Sequence, residues 1–196
     1  MNLYLRTPEI IKETSGGTTY CPIQDELFNS QRSMEVVGEI TRESVYSLIL
    51  QLRYLQQAAP GKEITMYINS PGGSVSDGLA LYDVMEMVSC TIRTVCVGTA
   101  ASMGALLFAA GDSRDSLPHA TVMIHDPLTT GVSGSALHIE EASRRLMETR
   151  KTTAEIIAKH TGHSLEEVYE KTKQDSYFNA AEAVAWGLAD RIIKKL

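Results

Sequence analysis

Cysteine is scarce in this sequence, and the few that occur form no recognisable site. The chain has three cysteines in 196 residues, Cys21, Cys90 and Cys96. No two of them show the C-x2-C spacing of a zinc site, and an odd number cannot all pair as disulfides. The cysteines therefore predict no metal site and favour a reducing compartment, so we expect a cytoplasmic protein.

Basic residues are too few for a protein that binds nucleic acid. The chain carries 18 Lys and Arg against 24 Asp and Glu, which gives a formal net charge of -6 at pH 7. Binding to a polyanion depends mainly on clustered Lys and Arg, because these residues neutralise phosphates. The acidic balance therefore argues against nucleic acid as a partner.

The chain also lacks a segment that resembles a membrane span. Residues 94–111 carry no charge over 18 positions, but they include three glycines and several Ser and Thr residues. Such a composition is unlike a helix that crosses a bilayer. The first 13 residues carry four charges, so no signal peptide is visible, although a leader could already have been removed. We expect no membrane association.

Two motifs that would indicate a nucleotide site or a common hydrolase fold are absent. There is no G-x-x-x-x-G-K-[ST] sequence, so the chain itself is not expected to bind ATP. There is no G-x-S-x-G sequence, which disfavours an α/β-hydrolase. With 43% hydrophobic and 21% charged residues, the composition is that of a soluble domain with a sizeable core.

What the sequence does contain is an alternation of short apolar runs and helical patterns, which predicts an α/β fold with a parallel sheet built from βαβ units. The predicted strands are residues 34–37, 64–68, 91–97 and 120–124, and the predicted helices are 43–59, 77–87, 102–110 and 135–160. Two capping boxes, Ser164-x-x-Glu167 and Asn179-x-x-Glu182, predict further helices. Residues 23–196 are predicted to form one domain, and residues 1–22 a loosely structured N-terminal segment. The helix at 135–160 would be about 39 Å long at 1.5 Å per residue, which extends well beyond a small sheet.

Ser102 is the first candidate for chemistry. It follows a predicted strand and the small residues Thr99-Ala100-Ala101, and it precedes the helix that Met103 opens. At such a junction the hydroxyl faces the open end of the sheet, and the Met103 N–H is a helix-start donor without a partner. The position suits a nucleophile, although Ser is also a preferred residue for simply capping a helix.

Gly72 and Gly73 follow another predicted strand and form the second candidate. Glycine allows the backbone to approach a ligand closely, so the Gly73 N–H could donate to an oxyanion. A glycine pair also makes ordinary turns. The combination is more informative, because two strand ends would present backbone donors to the crevice where open α/β sheets bind ligands.

His125 is the candidate general base. It ends a β-branched strand and precedes Asp126-Pro127, which favours an extended or turn geometry at the strand end. An imidazole there can accept a serine proton near neutral pH, although a histidine at a strand end is also often structural. Asp175 is one of 24 acidic residues, and nothing in the residues alone singles it out.

Several segments together resemble the proteolytic subunit of the Clp protease, caseinolytic peptidase P, from about Asp25 to Ile193. The matching segments are residues 66–73 (MYINSPGG), 98–105 (GTAASMGA), 117–118 (LP), 122–127 (VMIHDP), 160–162 (HTG) and 180–183 (AAEA). The resemblance implies a catalytic triad of Ser102, His125 and Asp175, with the Gly73 and Met103 N–H groups as oxyanion donors. The assignment of Asp175 depends on the resemblance alone.

The resemblance also implies a fold and an assembly. The fold would be a crotonase-like spiral of βαβ units with a protruding handle helix, in a handle region of about residues 130–160, and residues 1–22 would correspond to an axial loop. Heptameric rings would stack in pairs around a closed chamber. An AAA+ unfoldase ATPase ring would deliver unfolded polypeptides to that chamber. ATP would be used by this partner, and the chain itself would need no cofactor and no metal.

Three residues depart from the family pattern. Gln174 stands where the family commonly has an Arg that pairs across the ring interface. Thr65 replaces a Tyr, and Met87 replaces a Phe, at positions that line the docking pocket for the ATPase. These departures favour one alternative, a structural or regulatory paralogue in a mixed ring. A second alternative is an acyl-CoA enzyme on the crotonase-like scaffold, in which the Gly73 and Met103 N–H groups would polarise a thioester.

Overall fold

The structure, a computed structural model of the chain, describes residues 8–195. The strands within this range are β1 (Glu9–Thr14), β2 (Gly17–Pro22), β3 (Ser33–Val37), β4 (Ile64–Ser70), β5 (Ile92–Ala101), β6 (Ser113–Ser116), β7 (Thr121–Ile124), β8 (Ser176–Asn179) and β9 (Arg191–Ile192). The helices are α1 (Ile23–Gln31), α2 (Arg42–Ala58), α3 (Val75–Met87), α4 (Met103–Ala109), α5 (Ala136–Thr161), α6 (Leu165–Thr172) and α7 (Ala180–Ala185). The predicted α/β class is confirmed.

A seven-stranded sheet forms the centre of the fold. Its main path runs β3-β4-β5-β6-β9, and β7 joins β5 while β8 joins β7. All pairs are parallel except β7 with β8, which is antiparallel. Strand β5 divides its pairing, because residues 93–96 pair with β6 whereas residues 99–101 pair with β7. The carboxyl end of β5 therefore lies beside the short strands that complete the candidate site.

Helices cover the sheet with the apolar faces that the sequence predicts. In α2 the buried residues are Val45, Leu48, Leu52 and Leu55, which recur at helical spacing. The helix begins at a capping box between Thr41 and Ser44, and it ends just before Pro60. Every residue of α4 is buried, so the helix that follows Ser102 lies in the core. The chain directly after Ser102 is therefore held in place.

The N-terminal segment differs from the loosely structured region predicted for residues 1–22. Strands β1 and β2 form an antiparallel hairpin in which Glu9 pairs with Pro22 and Thr14 pairs with Gly17. The strands contain Ile and Thr, which favour extended backbone, and they flank a turn at residues 15–16. The Ser, Thr and Gly residues of this segment are equally typical of a loop, which is why composition alone does not indicate the hairpin. Residues 1–7 lie outside the described part of the chain.

Helix α5 is as long as the sequence predicts, with 26 residues between the Ser135 cap and Gly162. Gly162 takes the left-handed conformation, with φ of 79°, that commonly ends a helix. Its buried residues are confined to the last third, at Ala154, Ile156 and Ile157. Most of the helix is therefore not packed against its own domain. No helix within residues 8–195 has the length and apolar character needed to cross a membrane.

Candidate active site

The pairing of β5 with β7 brings Ser102 and His125 together. Ala101 is the register partner of Met123, and the Ser102 N–H donates to the Met123 carbonyl at 2.8 Å. This contact holds the two strand ends side by side, with His125 just beyond the end of β7. The Ser102 Oγ and the His125 Nε2 are 2.8 Å apart, a hydrogen-bond distance.

The pairing of β7 with β8 places Asp175 on the other side of the imidazole. Ile124 is the register partner of Ser176, so the next antiparallel pair along the chain is His125 with Asp175. The His125 Nδ1 and the Asp175 Oδ1 are 3.9 Å apart, which is longer than a hydrogen bond. The His125 side chain is 13% exposed, whereas that of Asp175 is 61% exposed. Contacts of this kind often tighten only when substrate binds.

Ser102 has an unusual backbone conformation, with φ of 54° and ψ of -122°. Apart from Arg32, no other non-glycine residue among residues 8–195 has a positive φ. A serine held on a strained turn between a strand and a helix exposes its hydroxyl, as in nucleophile elbows. The Ser102 side chain makes no capping hydrogen bond to α4, so the simple cap interpretation is wrong.

Gly72 packs directly against this turn. A Cβ at Gly72 would lie 2.7 Å from the Ser102 Cβ and 2.8 Å from the Ala101 carbonyl oxygen. Contacts that short do not occur for real side chains, so any residue larger than glycine would displace the serine turn. Glycine at this position lets the second strand end reach the candidate nucleophile.

Two backbone N–H groups beside Ser102 find no acceptor among the residues that the structure describes. Neither the Gly73 nor the Met103 amide donates a hydrogen bond within residues 8–195. Gly73 is held in place by an isolated bridge to Ile40, whose N–H donates to the Gly72 carbonyl and whose carbonyl accepts from Ser74, both at 2.8 Å. The free amides are suited to an oxyanion, which is the role the resemblance implies for them.

Ser70 holds the glycine turn in this position and was not singled out from the sequence. Its side chain is fully buried; the hydroxyl donates to the Gly38 carbonyl at 2.6 Å and accepts from the Gly72 N–H at 3.1 Å. One hydroxyl therefore ties the turn after β4 to the end of β3. The signal in the sequence was a serine directly before Pro71-Gly72, which is also an ordinary turn sequence.

A small cleft lies beside Ser102 and His125. Its other lining residues are Val75, Met103, Leu106, Ile124, Pro127, Thr153 and Ile157. None of these side chains is charged, so the cleft is suited to an apolar group. Because α3, α4, β7 and α5 all contribute to it, its shape depends on the packing of helices against the sheet.

The remaining histidines lie away from this cluster. His119 is exposed, and His163 stacks on Trp186 with ring centroids 4.3 Å apart. His160 contacts the Tyr82 hydroxyl at 3.2 Å. Burial lowers the pKa of His160 below its usual value, and the nearby Lys159 adds to this effect. Within residues 8–195, no three His, Cys, Asp or Glu side chains are grouped as they would be to hold a metal ion.

Sequence reasoning missed three residues at the edge of the site. Asp126 directly follows His125, and its carboxylate contacts Arg150 of α5 and Thr172 of α6. The only signal for Asp126 was its place in an Asp-Pro turn. Arg150 and Thr172 had none, because their contacts join segments that are far apart in the sequence.

Comparison with known protein families gives a match over most of the chain. The model of the family described as Clp protease matches residues 15–196. The matched range contains every residue of the candidate site described above.

Proposed function

Because the chain belongs to the Clp protease family, which makes it a peptidase, we propose that it is the serine endopeptidase subunit of an ATP-dependent Clp-type protease. Its substrates are unfolded polypeptides, and Ser102, His125 and Asp175 are the catalytic residues. The observation that carries this proposal is the 2.8 Å contact between the Ser102 Oγ and the His125 Nε2. A hydroxyl that reacts as a nucleophile needs a base at that distance.

The reaction follows from these positions. The Ser102 Oγ attacks the carbonyl carbon of a peptide bond while its proton passes to the His125 Nε2, and the carbonyl oxygen becomes an oxyanion. The Gly73 and Met103 N–H groups donate to this oxygen. The C–N bond then breaks, and His125 returns the proton to the leaving amine. Water resolves the acyl-enzyme by the same steps, with His125 again accepting and returning a proton.

Asp175 orients the imidazole in this proposal. Its carboxylate accepts a hydrogen bond from the His125 Nδ1–H, which leaves Nε2 free to accept the serine proton. It also stabilises the imidazolium that forms during attack. The 3.9 Å separation must shorten by about 1 Å for this hydrogen bond to form. Closure of this gap is therefore part of the proposed activation.

The proposed assembly is a pair of stacked heptameric rings that encloses the active sites, and an AAA+ unfoldase ring feeds substrates into it. The family match supports this assembly. Exposed apolar residues on the N-terminal part of α5, at Leu137, Ile139 and Met147, also support it, because they are suited to burial against another subunit. We assign α5 as the handle helix on the same grounds, and the whole domain as a crotonase-like spiral on the family match alone.

Covalent labelling and mutation test the function. A fluorophosphonate probe should label the wild-type protein at Ser102, and labelling should be lost in Ser102→Ala. Peptide hydrolysis in Ser102→Ala and His125→Ala should fall by roughly a thousand-fold or more. His119→Ala is the matched control, since it removes an exposed histidine outside the site and should retain wild-type turnover.

The outcomes separate the proposed function from its alternatives. Absence of labelling and hydrolysis with any activating ATPase would contradict the peptidase proposal and favour a structural or regulatory paralogue. Acyl-CoA turnover that survives Ser102→Ala would favour the acyl-CoA enzyme, because thioester polarisation by Gly73 and Met103 requires no serine nucleophile.

A further inference from the structure

We propose that Asp126, Arg150 and Thr172, called here the Asp126 network, are positioning residues that set the distance between His125 and Asp175. The proposal rests on the peptidase function proposed above. The three residues do not touch the reacting atoms. They act by fixing the two chain segments that carry the imidazole and the carboxylate.

Asp126 makes three hydrogen bonds at the centre of this network. Its Oδ1 accepts from the Thr172 hydroxyl at 2.7 Å, and its Oδ2 accepts from the Arg150 Nε at 2.6 Å. Its backbone N–H donates to the Thr172 carbonyl at 2.8 Å. Both carboxylate oxygens and the main chain are therefore used to hold one residue next to the candidate base.

The Asp126 network joins the segments that carry His125 and Asp175 at the end where the β7–β8 pairing has stopped. Pairing of β7 with β8 ends at Ile124 and Ser176, one residue before His125 and one residue after Asp175. Beyond that point Asp126 follows His125 directly, and Thr172 precedes Asp175 by three residues. The Asp126 to Thr172 contacts therefore close the second side of a short frame. His125 and Asp175 lie inside this frame.

Arg150 connects this frame to the long helix. Its guanidinium lies over the Tyr169 ring, 4.1 Å from the centroid, so it contacts α6 as well as Asp126. The Arg150 and Asp126 side chains are 24% and 31% exposed, and Thr172 is 3% exposed. Separating a partly buried charge pair leaves each charge poorly solvated. Such a pair therefore holds its geometry better than a pair on the surface. Helix α5 therefore helps to determine where the segment bearing Asp175 lies.

Matched substitutions test the Asp126 network. Thr172→Val removes the hydroxyl but keeps the volume, whereas Thr172→Ser keeps the hydroxyl. Arg150→Met removes the donor, whereas Arg150→Lys keeps the charge. We expect kcat for a peptide substrate to fall roughly 10- to 100-fold in Thr172→Val and Arg150→Met with KM little changed, since a displacement of about 1 Å can cost that much. Thr172→Ser should retain most of the activity, and Arg150→Lys an intermediate amount.

The split between kcat and KM, together with the conservative variants, distinguishes positioning from general destabilisation. Destabilisation lowers the amount of assembled particle, whereas displacement of His125 or Asp175 lowers kcat per particle and leaves KM little changed. Recovery of kcat in Thr172→Ser is expected only if the hydroxyl itself holds the two segments.

Glu155→Gln is the control, since it breaks the exposed Lys151–Glu155 pair about one turn along α5 from Arg150 and should leave kcat and KM unchanged. All variants are compared as assembled particles of equal sedimentation coefficient. Wild-type kcat in both Thr172→Val and Arg150→Met would overturn the proposed role of the Asp126 network. Should Thr172→Val fail to fold, Arg150→Met against Arg150→Lys decides the question. Ser102→Ala, assayed in parallel, tests the peptidase function separately. Activity in Ser102→Ala would contradict the proposed peptidase function. An inactive Ser102→Ala together with fully active network variants would contradict only the role of the Asp126 network.

Discussion

At Ser102 the backbone conformation costs free energy that the surrounding contacts must supply. The φ of 54° with ψ of -122° is a conformation that glycine adopts readily and other residues adopt rarely. The Ser102 N–H bond to Met123 and the buried α4 hold the residue there. Such strain is expected where a side chain must be presented for chemistry, since an unstrained turn would point the hydroxyl elsewhere.

This strain predicts an order of stabilities among inactive variants. Ser102→Gly should unfold at a higher temperature than Ser102→Ala, with a difference of about 1 kcal/mol in the free energy of unfolding, because glycine relieves the strain and alanine does not. Thermal unfolding of both variants at the same protein concentration is the measurement. Equal unfolding temperatures, or a less stable Ser102→Gly, would contradict the interpretation of Ser102 as strained.

Individual residues of the site differ in how far the sequence could predict them. Ser102 and His125 were identifiable because each stands where an apolar strand ends, and strand ends of parallel sheets meet at one edge. Asp175 was not identifiable from the residues, because its position depends on β8, a strand of four residues. Arg150 and Thr172 contact Asp126 across sequence separations of 24 and 46 residues, which no local pattern records.

Among the elements, α3 and α5 are joined by a polar cluster that contains an imidazole. The His160 Nε2 lies 3.2 Å from the Tyr82 hydroxyl, which also accepts from the Lys159 ammonium at 3.2 Å. Glu86 of α3 forms an ion pair with Lys159. Arg114 donates to the His160 carbonyl at 2.8 Å. This cluster fixes the end of α5 that contributes to the cleft beside Ser102.

The cluster predicts how stability depends on pH. Burial, reinforced by Lys159 and Arg114 and opposed by Glu86 and Asp112, lowers the pKa of His160 below its usual value of 6.5. The unfolded chain therefore binds a proton more readily, so the contribution of His160 to stability is complete above pH 6.5 and is lost as the pH falls through the lower folded pKa. The thermal midpoint should rise with pH across this window.

His160→Gln should flatten this part of the pH dependence, as measured by thermal unfolding at fixed protein concentration. His119→Gln is the matched control because His119 is exposed. A wild-type slope in His160→Gln would show that other groups, such as the carboxylates, account for the effect.

Elements with amphipathic spacing, clear caps or an apolar run were predictable, whereas the shortest polar strands were not. The buried face of α2 and the cap and stop signals of α5 fixed those helices to within about a residue, because amphipathic spacing persists over several turns. Strands β6, β8 and β9 have four residues or fewer and contain polar or charged positions, so their sequences resemble loops. They are strands because neighbouring strands supply their hydrogen bonds.

For the whole molecule, the exposed part of α5 carries the prediction about assembly. Leu137 and Met147 are 76% and 57% exposed, although both are large apolar side chains. If they pack between stacked rings, as proposed, Leu137→Glu and Met147→Glu should each separate the rings and halve the mass of the particle. Sedimentation velocity measures this mass, and circular dichroism checks that each subunit remains folded.

Glu140→Gln is the control for these variants, since it changes an exposed charge on the same helix without adding one to an apolar position. An unchanged sedimentation coefficient in both Leu137→Glu and Met147→Glu would mean that this part of α5 does not hold the rings together.

The antiparallel pairing of β7 with β8 joins residues whose positions along the chain are far apart, since Ile124 meets Ser176. During synthesis Ser102 and His125 leave the ribosome before Asp175. A nascent chain therefore cannot form the proposed triad until the segment that bears Asp175 has emerged. The order of these residues along the polypeptide delays the proposed Ser-His-Asp chemistry until β8 can pair with β7.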